Sequence, residues 1–152
     1  MSPIGDSFPA SYREQFAKDN LVPGSVIRCF VNDVTPPKEK YFVIIGTTSD
    51  KVLVGSIYIN SVINPNRFNT AYLKSLHLPV LQADYSFLDH DSYIDCSEIY
   101  PKEYSIIAQQ IKEDNGLVKG NLTPSDLNKV LSVIKGAATI STTVKKQFGI
   151  ST

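Results

Sequence analysis

Apolar residues follow two different patterns along the chain. The earlier part carries short apolar runs of strand length, and the later part repeats them at helical spacing. A break at Val22-Pro23-Gly24 precedes residues 25–31 (SVIRCFV), which are β-branched and aromatic and predict a strand. Residues 41–45 (YFVII) are an unbroken apolar run, which predicts a strand covered on both faces. Residues 51–59 (KVLVGSIYI) predict a third strand, in which Gly55 marks a bulge or bend. Between them, residues 32–40 with Pro36-Pro37 read as a polar loop, and residues 46–50 as a turn. Residues 60–70 (NSVINPNRFNT) read as a further loop. Two short apolar pieces, 78–81 and 85–88, lead to a turn at Asp89-His90-Asp91. Residues 92–99 then alternate, with Tyr93, Asp95 and Ser97 on one face of a strand and Ile94 and Cys96 on the other. Short strands separated by turns predict a curled sheet or a small barrel.

Helical spacing marks the two ends of the chain. Tyr12 and Phe16 lie four apart in a short amphipathic helix over 11–18, with Ser11 as its cap and Glu14 three residues later. Ile107 and Ile111 stripe a helix over 104–113 that Asn115-Gly116 ends. Thr123 caps a second C-terminal helix, with Pro124 in its first turn, where a missing N–H costs nothing, and Asp126 facing the helix dipole. Leu127, Val130, Leu131 and Ile134 line its face, and Gly136 ends it. Ser141 starts a last helix with Val144 and Phe148 on one side. The reading is a single α+β domain over 1–152: an N-terminal extension at 1–21, a β portion at 22–101 and a helical portion at 102–152.

Composition narrows the class. With 152 residues, 42% hydrophobic and 20% charged, the chain has enough apolar material for one core. Fifteen basic residues balance 15 acidic ones, so a general electrostatic grip on nucleic acid or on an anionic membrane is not the default. The balance is uneven: residues 1–101 hold 8 basic and 11 acidic side chains, and residues 102–152 hold 7 and 4. No apolar stretch is long enough to span a bilayer, so no membrane partner is expected. The start, MSPIGDSFPASYREQF, lacks a basic segment followed by an apolar run, and the expected localisation is cytoplasmic. Cys29 and Cys96 are then expected as reduced, partly buried thiols. Two cysteines and two histidines, His77 and His90, at these spacings predict no zinc site.

Three places carry candidate chemistry. Lys38-Glu39-Lys40 sets two cations around one anion at the mouth of the buried strand, which fits a solvated hairpin loop or a phosphate site with Lys40 as its point charge. Asn60-Ser61 ends the next strand. Antiparallel neighbours place that end beside the start of 41–45, so Lys40 and Ser61 are expected to meet there. A cation beside a hydroxyl can orient a phosphodiester and stabilise charge developing on it; the same two residues also read as the start of a turn. Asp89-His90-Asp91 fits a capped turn or, as a weaker alternative, an acid–base centre at His90. His77 is read as structural. Lys129, Lys135, Lys145 and Lys146 form basic helix faces, solvated or touching a phosphate backbone. No GxxxxGK[ST], GxGxxG, GxSxG or HExxH occurs, and no cofactor is expected.

The order Pro23-Gly24-Ser25-Val26-Ile27, a loop, Lys40-Tyr41-Phe42-Val43-Ile44-Ile45, a turn and then residues 51–59 resembles the PemK/MazF-like toxins of type II toxin–antitoxin systems. Residues 92–97 and 120–127 are similar to the sheet-then-helix tail of that family, so the resemblance spans roughly 22–150. It implies an SH3-like curled β-barrel followed by C-terminal helices, a homodimer, metal-independent cleavage of single-stranded RNA and a cognate antitoxin as partner. The family's catalytic arginine, in a strand-opening Gly-x-Arg-Pro, falls where this chain has Glu39-Lys40-Tyr41, and its hydroxyl residue falls at about Ser61. The resemblance thus implies Lys40 and Ser61 as catalytic residues, with Arg28 and Lys38 holding RNA phosphates. Lysine keeps the charge of arginine but not its bidentate fork. The alternative expectation is a non-catalytic SH3-like module that binds a protein partner through aromatic side chains.

Overall fold

The computed structural model describes residues 10–150 as a mixed α+β fold: a curled antiparallel sheet, a half-barrel, with helices packed on it. The strands are β1 (Ser25–Val31), β2 (Lys38–Thr47), β3 (Leu53–Asn60), β4 (His77–Val80), β5 (Ser92–Asp95), β6 (Tyr100–Glu103) and β7 (Val118–Asn121). The helices are α1 (Ala10–Asp19), α2 (Ala71–Ser75), α3 (Tyr104–Glu113), α4 (Pro124–Gly136) and α5 (Thr142–Gln147). None of the described helices is long and apolar enough to cross a membrane.

Strand β2 runs between β1 and β3, and its alternating side chains supply two separate cores. Phe42 and Ile44 pack with Ile27, Cys29, Val54 and Tyr58, and with Ala17 and Leu21 of the α1 region and Ile107 and Ile111 of α3. Val43 and Ile45 pack on the opposite side with Ile57, Ile94, Val130 and Ile134 of α4, and Phe148 just past α5. The predicted coverage of 41–45 on both faces is what the strand shows.

The sheet runs β4-β5-β3-β2-β1-β7, and β6 joins off this path. It curls because β3 splits its outer edge. Leu53–Ser56 pair with β6, while Ile59 and Asn60 pair with β5. A bulge between Ile44 and Gly46 opposes Ser56 and Gly55 and adds to the bend. The irregularity lies in β2, opposite the glycine singled out in β3.

Both glycines are spaces for Phe148. A Cβ at Gly46 would stand 2.1 Å from the Phe148 carbonyl oxygen, and one at Gly55 would stand 2.9 Å from its ring. The C-terminal segment therefore closes against bare backbone. Its approach is steadied by Lys145, which is buried and donates from Nζ to the Lys135 and Ala137 carbonyls at the end of α4, 2.9 Å each. Lys145 is therefore held inside the fold and is not part of a solvated basic face.

Several expectations shift. Ser11 lies inside α1 instead of capping it. Lys38, Glu39 and Lys40 belong to β2, leaving 32–37 as the loop. The strand predicted over 92–99 stops at Asp95, because the Asp95 carboxylate takes the Ser97 N–H and hydroxyl and turns the chain; 100–103 is a separate strand on the other half of β3. Residues 85–88 form a loop, since Tyr85 turns inward to α4, accepting from the Thr123 N–H at 3.1 Å and donating to Asp126. α2 and β7 were not anticipated; β7 comes from the later portion and pairs with β1, as its short VKGN sequence carries too little apolar signal to predict a strand. The Thr123 and Ser141 caps form as expected, accepting from the Asp126 and Val144 N–H groups at 3.1 Å each.

Gly46→Ala should destabilise the fold by about 3 kcal/mol, the upper end for overpacking, because the group it meets is backbone and cannot swing aside. Phe148→Ala should cost about 3–5 kcal/mol. Urea unfolding followed by circular dichroism measures both; an unchanged midpoint for either would contradict the closure described.

Candidate functional site

Burial along β2 ends at its N-terminal end. Phe42 to Gly46 are sealed, Lys40 and Tyr41 are half-buried, and Lys38 and Glu39 are exposed. At that point a cleft of about 860 Å³ opens. Its walls come from the ends of β1 to β3, the loop 32–37, the segment after β3, and the segment 88–95.

All four residues singled out by sequence line this cleft: Arg28, Lys38, Lys40 and Ser61. The β2–β3 register pairs Tyr41 with Ile59, which sets Lys40 alongside Asn60. Lys40 Nζ donates to the Asn60 side-chain oxygen and lies 5.1 Å from the centre of the Tyr58 ring. The group that meets the ammonium is thus the amide of Asn60. Ser61 is the next residue, exposed, just beyond the end of β3. Burial lowers the Lys40 pKa from its ordinary value, and the neighbouring Lys38 charge adds to this; Asp95 and Asp33 pull the other way.

Arg28 faces Tyr41 across the β1–β2 pair. Its guanidinium lies 4.9 Å from the Tyr41 ring centre, donates to the Tyr41 hydroxyl at 3.3 Å and pairs with Glu39 at 3.5 Å. Tyr41 in turn donates to the Phe87 carbonyl at 3.0 Å, tying β2 to the segment that carries His90. His90 is exposed on the cleft wall, with Nδ1 3.2 Å from the Ser92 hydroxyl. The Asp91 carboxylate accepts the Gln82 N–H at 2.9 Å, so the Asp89–Asp91 segment is a bonded turn that also presents a histidine to the cleft.

Two clusters escaped the sequence reading. In the first, Lys102 Nζ donates to Asp33 at 3.0 Å and to the Tyr58 hydroxyl at 2.7 Å, and Tyr58 donates to Asp33. The ammonium also sits 4.9 Å from the Tyr58 ring centre and 5.1 Å from that of Phe42. Burial alone would raise the Asp33 pKa, but the hydrogen bonds from Tyr58 and Lys102 outweigh it and hold the carboxyl below its ordinary 3.8. Burial, and then the bond to Asp33, pushes the Tyr58 phenol up. This cluster fastens the 32–37 loop over the cleft. In the second, His77 and Asp95 are register partners in the β4–β5 pair, with Nε2 to Oδ1 at 3.4 Å, and both are buried. Neither cluster has a local signal, since its members lie far apart in sequence and meet only in the folded chain. Both cysteines are free and buried; burial raises the Cys29 thiol and pushes Cys96 up to about 12, which leaves neither a ready nucleophile.

The chain matches no known family model and no curated protein.

Because the folded-state pKa of Asp33 is depressed, its stabilisation is complete above about pH 4 and is lost as the pH falls through the folded value. Asp33→Asn should therefore unfold at lower urea than the unaltered chain at pH 7, and the gap should narrow below about pH 4. A gap that stays constant with pH would show that the Asp33 charge contributes nothing.

Proposed function

We propose that the chain is a divergent PemK/MazF-like endoribonuclease with an SH3-like curled barrel, cleaving single-stranded RNA at the cleft without a metal. The observation that supports this reading is the strand register at the cleft mouth. It aligns Lys40 with the end of β3, beside Asn60 and Ser61, on a surface that also holds Arg28, Lys38 and His90. Lys40 is the charge that stabilises the phosphorane as it forms, and its partial burial strengthens that field. Ser61 positions the phosphate or relays a proton. Arg28 and Lys38 hold flanking phosphates, and His90 supplies a proton-transfer group within the same space. The proposal carries a homodimer and a cognate antitoxin as its protein partners.

A second reading, a non-catalytic module for a protein partner, is favoured by one specific observation. The cleft presents Asp33, Glu39, Asp89, Asp95 and Glu98 alongside Arg28, Lys38, Lys40 and Arg67, a mixed rather than a cationic lining. A mixed lining suits the polar rim of a protein interface better than a backbone of like charges.

Incubation with single-stranded RNA in excess chelator separates the two. Cleavage is expected, and Lys40→Ala should slow it by about 10²–10³-fold. Expression should arrest growth of a bacterial host, and Lys40→Ala should relieve the arrest. Intact RNA with a folded protein and a harmless expression phenotype would discard the nuclease in favour of the binding module.

A further inference from the structure

We propose that a second cavity, at the opposite end of β2 from the cleft, binds a small amphipathic anion: an aliphatic chain with one carboxylate head. The cavity holds about 560 Å³, within the range of small-molecule sites. Its wall comes from the end of β2, from α4, from the segment past α5 and from Pro23 ahead of β1. It shares no lining residue with the cleft, so the proposal goes beyond the ribonuclease reading and does not rest on it. The floor is formed before any ligand arrives. Ile45 and Phe148 are buried there, and Phe148 is seated where Gly46 and Gly55 leave bare backbone. A preformed seat spares a ligand the cost of ordering the protein around it.

The lining selects the body of the ligand. Pro23, Ile45, Leu131 and Ile150 are aliphatic. Phe148 is the one aromatic residue in the wall, and its ring is packed towards Gly55, so a planar ligand finds no open face to stack on. Charge selects the head. Lys135 is exposed on the cavity wall, and no carboxylate of a described residue pairs with it. Lys145, 6% exposed, likewise has no carboxylate partner among the described residues. Its ammonium instead takes up the Lys135 and Ala137 carbonyls, which would otherwise repel an anion at the C-terminal end of α4. No acidic residue is among those that line the cavity, in contrast to the mixed lining of the cleft. Two cations without counter-ions beside an aliphatic seat favour a single carboxylate. The Ser132 hydroxyl, which bonds to no described residue, adds a donor on the same wall.

The test is titration calorimetry on the whole chain with octanoate, decanoate, octan-1-ol and octylammonium. Octanoate should bind saturably, and decanoate about tenfold tighter through two more buried methylenes. Octan-1-ol should bind about five- to tenfold weaker than octanoate, and octylammonium weaker still. Lys135→Glu should cut octanoate affinity about tenfold and leave octan-1-ol unchanged. Ser132→Trp should abolish binding of both by filling the cavity. Both positions are exposed, so both variants should keep the circular dichroism of the unaltered chain. Should either unfold, the ligand series on the unaltered chain decides. Absence of saturable octanoate binding overturns the proposal. So does equal binding of carboxylate, alcohol and ammonium, which removes the anion, and so does full octanoate binding by folded Ser132→Trp, which places it elsewhere. None of these readouts involves RNA, so a failed nuclease assay leaves them standing.

Discussion

The structure depends on the burial of β2 on both faces. A strand with Phe42 and Ile44 on one side and Val43 and Ile45 on the other cannot be covered by a second strand layer made of its own sheet neighbours. It requires helices from both ends of the chain: α1 and α3 on one face, α4 and the segment past α5 on the other. Chain ends that are distant in sequence are therefore obliged to meet the same ten-residue strand. The cleft follows from where this burial stops. At Lys40 the apolar run gives way to charge, and the strand leaves the core as the floor of a cleft.

Around that constraint, polar groups are placed so that few buried charges are left alone. Lys145 satisfies carbonyls at the end of α4, and Lys102 is enclosed by Asp33, Tyr58 and two rings. Such arrangements contribute modestly to net stability, because desolvation offsets much of the attraction, but losing one partner leaves a costly charge behind. Their effect is positional: Lys102 anchors the loop over the cleft through Asp33, and Tyr41 anchors the segment bearing His90 through the Phe87 carbonyl. The cleft residues are consequently set by strand register and by buried polar ties, both stiffer than an exposed loop.

The cleft's electrostatics are mixed, and each cation is partly committed. Arg28 is shared between Glu39 and Tyr41, and Lys40 is bound to Asn60 and stripped of part of its hydration. A phosphate entering such a site replaces partners already present and gains less than it would on a bare basic patch. Recognition would then lean on geometry more than on net charge.

Much was legible locally. The strand over 25–31, the doubly covered run at 41–45, the stripe of Ile107 and Ile111, and the caps at Thr123 and Ser141 all follow from patterns within a few residues, because side-chain period and capping are local physics. So did the convergence of Lys40 with the end of β3, which antiparallel pairing of successive strands dictates. What sequence order left open was every partner chosen at long range. VKGN became β7 because β1 offered an unpaired edge, and β3 divided its edge between β5 and β6. His77 met Asp95 through the β4–β5 register, and Lys102 met Asp33 across the loop after β1, and no local spacing encodes either. The amino-acid order by itself determined which segments are strands, helices and turns, since those depend on neighbours along the chain. Only the tertiary structure decided which buried polar groups meet, because burial brings together residues whose separation in sequence carries no energetic signal until the core has formed.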